Sequence, residues 1–166
     1  MIEFVMESFR WMLDLPYGRE LLSFSISMLP LIELRGGLPV AIALGLNPIY
    51  ALIICFLGNL LPVPFIIWLI TPIFNYLKEF KIFKGIVENL EAKADMKKDK
   101  IEKYEFWGLL LFVAIPMPGT GAWTGSLIAA LLDMNKQKSL LAATLGILLA
   151  GIIMLSGSLL VKGLFF

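Results

Sequence analysis

Charge is nearly absent from two long stretches of this sequence, and that absence limits what the chain can fold into. Residues 21–77 carry only Glu33 and Arg35, and residues 106–164 carry Asp133, Lys136, Lys138 and Lys162. The remaining charges lie in residues 1–20 and in residues 78–105, where eight Lys alternate with seven Asp or Glu. With 59% apolar residues and a mean hydropathy of +0.87, the chain exceeds the roughly 45–50% apolar share of soluble domains. A water-soluble fold would have to display apolar patches that soluble proteins avoid. Each uncharged block is instead long enough to enter a bilayer, at about 20 residues per helical span. The expected class is therefore an all-α, polytopic integral membrane protein, multi-pass in the cytoplasmic membrane.

Composition narrows the chemistry. There is no His, which removes His-based triads, HExxH metal sites and imidazole relays. The single cysteine, Cys55, sits in an apolar run and cannot form an internal disulfide or a cysteine-rich metal site. A formal charge of +1 gives no basic face for nucleic acid. No paired carboxylates or metal-ligand cluster suggest an enzyme, and no cofactor is expected. Met1–Arg19 lacks the basic start and small-residue cleavage site of a signal peptide, so the first apolar segment is expected to stay in the chain.

The two blocks resemble each other at a fixed offset. Pro30 and Pro118, Gly37 and Gly125, Asn47 and Asn135, and Gly58 and Gly146 are each 88 residues apart. Internal repeats of this kind are common in transporters. Within one membrane domain, 1–166, the divisions are an amphipathic N-terminal segment (1–20), repeat 1 (21–77), a charged linker (78–105) and repeat 2 (106–164). The second part of each repeat reads as one helix, opened by Asn47-Pro48 in the first and after Asn135 in the second. Pro62 and Pro64 should kink the first of these, and Gly146, Gly151 and Gly157 should let another helix approach the second closely. In the linker, Phe80, Phe83, Val87, Leu90, Ala94, Ile101 and Tyr104 recur at helical spacing, which predicts an amphipathic cytoplasmic helix.

The first part of each repeat is broken near its middle, by Pro30, Glu33, Arg35, Gly36, Gly37 and Pro39 in one and by Pro116, Pro118, Gly119, Thr120, Gly121 and Gly125 in the other. A straight lipid-facing helix would leave backbone groups unpaired there, which hydrocarbon does not permit. The expectation is a re-entrant helical hairpin with its irregular turn at these residues. Each repeat then crosses the membrane once, and the two repeats are inverted. Four plain spans would satisfy the distribution of positive charge equally well; the helix breakers favour hairpins.

Glu33 and Arg35 are the candidate site. Buried in an apolar setting, each costs about 3 kcal/mol or more unless paired or facing water. One reading is that they pair with each other or cap half-helices; the other is a substrate or proton site. On the second hairpin Pro118, Gly119, Thr120, Gly121, Trp123 and Thr124 offer backbone N–H groups, hydroxyls and an indole to a polar head group. Opposed hairpin tips would bring the two sets together, and Asn59 would add a polar contact from the crossing helix.

The stretches ELRGGLPVAIALGL, GNLLPVPFI and IPMPGTGAWTGSLIAALL resemble the signature blocks of the small multidrug export protein family, over roughly residues 20–158. That family is similar in turn to the DedA (VTT-domain) superfamily. The resemblance implies two opposed re-entrant hairpins, each with a crossing helix, and movement of a lipid or lipid phosphate with dependence on protons or ions. Glu33 matches the acidic position of a DedA-type first hairpin. DedA proteins typically carry arginines on the second hairpin; this chain has none there, and Arg35 would stand in as the cation. The reading is a transporter of an amphiphilic substrate in contact with membrane lipids, compatible with a homo-oligomer. The alternative is a non-transporting scaffold or assembly factor that docks partners through the 78–105 helix.

Overall fold

The structure is a computed structural model that describes residues 10–78, 85, 105–117 and 119–165. The predicted linker helix and Pro118 lie outside those residues. Every described element is helical. A short 3₁₀ turn, Arg10–Asp14, precedes α1 (Gly18–Met28), α2 (Glu33–Ala43), α3 (Pro48–Leu60), α4 (Pro62–Lys78), α5 (Glu105–Ala114), α6 (Ala122–Leu131) and α7 (Lys136–Phe165). They form two compact units. One holds the chain to Leu61 and from Ile147 onward; the other holds Pro62–Gly146.

The turns follow from local chemistry, and their geometry recurs at the spacing of the sequence repeat. α2 ends in a Schellman motif: Gly45 N–H bonds Ile42 C=O (3.0 Å) and Leu46 N–H bonds Ala41 C=O (3.1 Å). α6 ends the same way, with Asp133 N–H on Ala130 C=O (3.2 Å) and Met134 N–H on Ala129 C=O (3.0 Å). Both motifs need a left-handed residue after the cap; Gly45 has φ 85° and Asp133 φ 51°. Asn47 then caps α3, its Oδ1 accepting from Ile49 N–H at 3.0 Å. Asn135 caps α7, accepting from Lys138 N–H at 3.1 Å. Each carboxamide satisfies a helix-start donor that has no partner inside the helix.

Among the described residues two helices are long and apolar enough to cross a membrane, Pro48–Ile70 with 23 residues and Lys136–Leu160 with 25, each of mean hydropathy 2.3. The shorter rises about 34 Å at 1.5 Å per residue, enough for a hydrocarbon core of about 30 Å. The helical run is interrupted at Leu61, because Pro62 has no N–H to donate. Pro72 does not end α4, which runs on to Lys78.

Burial is distributed as a bilayer requires. Ile53, Leu57, Leu61 and Phe65 form an exposed stripe, as do Leu141, Leu145, Leu149 and Ile153. Among the described residues the buried polar side chains are Ser23, Ser27, Glu33, Asn59, Ser126 and Ser139. Large apolar side chains face outward where water would penalise them and lipid does not, while much of the interior is small or polar.

In the first unit α1 packs on both α2 and α3, and α2 packs on α3. Gly37 and Gly58 make this approach possible. A Cβ at Gly37 would collide with Ser27 Oγ, and one at Gly58 would lie 2.5 Å from the Phe24 carbonyl oxygen and 3.2 Å from Ser27 Cβ. In the second unit α6 packs on α4 and α5. There a Cβ on Gly125 would lie 2.7 Å from Val113 Cγ2, and one on Gly146 2.7 Å from Val113 Cβ. The glycine pairs aligned in the sequence are therefore helix contacts. Gly151 is one too, facing Leu52 and Leu34, but Gly157 has nothing within 4 Å. The expectation that Gly157 serves close packing is thus corrected: it sits on an open face.

Candidate functional site

The sequence places an irregular turn among Pro30, Glu33, Arg35, Gly36, Gly37 and Pro39; the structure confines it to the Pro30 end of that cluster. The chain breaks at Leu29–Ile32, and Arg35, Gly36, Gly37 and Pro39 lie within α2. The break is held by Leu29 N–H on Ile26 C=O (3.1 Å) and by Glu33 N–H on Leu29 C=O (2.9 Å). Pro39 lies inside α2, where it removes one backbone hydrogen bond, and Gly37 gives α2 its contact with α1.

Glu33 opens α2 and is only 5% exposed. Its φ is 53°, a left-handed conformation that side chains other than those of Gly, Asn and Asp seldom adopt. The carboxylate sits in the first turn of α2, where the helix dipole favours negative charge. Arg35 follows two residues later and is half-buried, so the two leave different sides of the helix. Neither is without a partner, and the Glu33 charge acts on the Arg35 guanidinium.

Asn59, on α3, is 3% exposed, and among the described residues its Oδ1 has no hydrogen-bond partner. It belongs to the same unit as Glu33, Arg35, Gly36 and Gly37. Gly37 and Gly58 both abut Ser27; Asn59 follows Gly58 on α3, and Glu33 lies one helical turn before Gly37 on α2.

The other predicted residues belong to the second unit. Gly119 has φ 81° and Gly121 φ 135°, the latter as N-cap of α6. Thr120 Oγ1 lies 2.8 Å from the carbonyls of both Ile115 and Met117, so its hydroxyl is turned to the tip's own backbone. Trp123 and Thr124 are half-buried on the first turn of α6.

Sequence reasoning passed over four serines. Ser23 and Ser27 donate to the carbonyls of Arg19 (2.7 Å) and Ser23 (2.8 Å), one turn back on α1. Ser126 and Ser139 are buried, with no partner for Oγ among the described residues. A hydroxyl inside an apolar run was the available signal, and Ser23 and Ser27 also share a helix face.

An all-helical membrane protein with a buried acid on one hinge and a glycine-rich tip on the other is the class that fold and site define. The chain belongs to the family described as "Putative small multi-drug export protein", whose family model matches residues 33–153. No curated protein and no solved structure matches it. The likeness to the DedA superfamily rests on the sequence motifs alone.

Proposed function

We propose that this protein is a small exporter, multi-pass in the cytoplasmic membrane, that moves an amphiphilic molecule without chemically altering it. In this reading each repeat is a re-entrant hairpin followed by a crossing helix, and the two repeats are inverted across the lysine-rich linker. Glu33 takes up the coupling proton or the substrate's positive charge, Arg35 contacts negative charge on the substrate, and the Gly119–Thr124 turn holds the head group.

One observation carries the reading. Glu33 and Gly121 occupy equivalent positions, 88 residues apart, and both have positive φ. Their conformations differ, with φ 53° at Glu33 and 135° at Gly121, but side chains are uncommon at either. Glu33 holds a buried carboxylate in a left-handed conformation, at the combined cost of strain and desolvation. A group kept against two penalties, in a family described by export, is accounted for by its chemistry.

The test is reconstitution in proteoliposomes, following ethidium, a fluorescent phospholipid and undecaprenyl phosphate. Wild-type protein should move one of them, with a rate that responds to a pH gradient. Glu33→Gln should lose that response, and Arg35→Ala should slow transport. Variants as active and as pH-responsive as wild type would overturn these roles.

A further inference from the structure

The two repeats act as an internal control for Asn59. Along the long helices burial recurs at the 88-residue spacing. Ala51 and Ser139, Cys55 and Ala143, Gly58 and Gly146, Val63 and Gly151, and Ile67 and Leu155 are all buried. In this register Asn59 corresponds to Ile147, which is fully buried. A β-branched hydrocarbon fills that place in repeat 2, so the scaffold itself does not call for an amide. Asn59 nevertheless occupies it in repeat 1, with an acceptor oxygen that none of the described residues satisfies. Leaving such a group unsatisfied costs stability that an aliphatic side chain would not.

We propose that Asn59 is a specificity-determining residue, whose Oδ1 accepts a hydrogen bond from an N–H-bearing cationic head group, a primary ammonium, on the exported molecule. This rests on the export reading above. An unsatisfied acceptor calls for a donor, and a buried carboxylate in the same unit, Glu33, favours a donor that carries positive charge. A primary ammonium supplies both, with three donors and one charge. A quaternary ammonium supplies the charge but no donor, so Asn59 separates the two.

The experiment uses the full chain in vesicles of phosphatidylethanolamine and phosphatidylglycerol, with dodecylammonium and dodecyltrimethylammonium as probes. Wild-type protein should move the primary amine about tenfold faster, the discrimination that one hydrogen bond to a charged group provides. Asn59→Ile should erase that preference while melting at the same or a higher temperature, because the orphan amide is gone. Equal transport of both probes by wild type would overturn the inference and leave the export reading standing; transport of neither would remove both. A retained preference in Asn59→Ile would also overturn it, above all with a lowered melting temperature, which would make Asn59 a packing residue satisfied by trapped water. So would protection of wild type, but not of Asn59→Ile, by sodium alone, since the site would then belong to an alkali ion. The wild-type preference needs no variant, so misfolding of Asn59→Ile cannot shield the proposal.

Discussion

Single residues set the turns of this molecule, and two of them do so against their own preferences. Asp133 holds the left-handed position that Gly45 holds in the first repeat. Asp tolerates this conformation better than most residues, but glycine adopts it without steric cost. Asp133→Gly should therefore raise stability by about 0.5–1 kcal/mol, read as a higher melting temperature in detergent; an unchanged or lower value would mean that the Asp133 side chain holds something else. The capping asparagines run the other way. Asn47→Ala and Asn135→Ala should each cost about 1 kcal/mol, because each strands helix-start donors that its Oδ1 now satisfies. These caps are legible in the sequence, since an N-cap acts on residues two or three positions away. The left-handed Glu33 is not: no local signal asks for it, and the neighbouring break alone gives it that conformation.

At the level of elements, glycine has opposite meanings on different faces. Gly58 faces the Phe24 carbonyl and Gly146 the Leu110 carbonyl, at 2.5 and 2.8 Å from an added Cβ. Backbone cannot step aside as a side-chain tip can. Gly58→Ala and Gly146→Ala should each cost about 1–3 kcal/mol, as overpacking does. Gly157→Ala, which meets nothing within 4 Å, should be neutral or stabilising, as alanine favours helix by up to about 1 kcal/mol. Thermal unfolding of the three variants side by side checks the contrast; equal losses would refute the helix-contact role of Gly58 and Gly146. The sequence aligns Gly58 with Gly146 but cannot tell contact from open face, because that depends on which helix lies opposite. For the same reason it draws the first turn too wide, from Pro30 to Pro39, when only the Pro30 end is irregular. Clustered Gly and Pro read as breakers in isolation, yet in α2 the packing of Gly37 against Ser27 keeps the segment helical.

For the whole molecule, the decisive property is the side of the membrane on which each turn lies. The inverted-repeat reading puts the Asn47 and Asn135 turns on opposite sides. Ile49 and Gln137, 88 residues apart and both exposed at the starts of α3 and α7, are suited to test it. In a Cys55→Ala background, Ile49→Cys and Gln137→Cys should react with an impermeant maleimide from opposite faces of the membrane; labelling from one face would establish plain spans. The sequence by itself determined the membrane class, the repeat spacing, the Asn caps and the two long helices. Those depend on hydropathy, on helical period and on contacts within a few residues, all written along the chain. Only the tertiary structure decided that the first turn precedes Glu33, that Gly37 and Gly58 meet at Ser27, and that the buried Asn59 Oδ1 has no partner among the described residues. Those facts arise where segments distant in sequence come within a few ångströms, and the same side chain is a breaker, a contact or a ligand according to what faces it there.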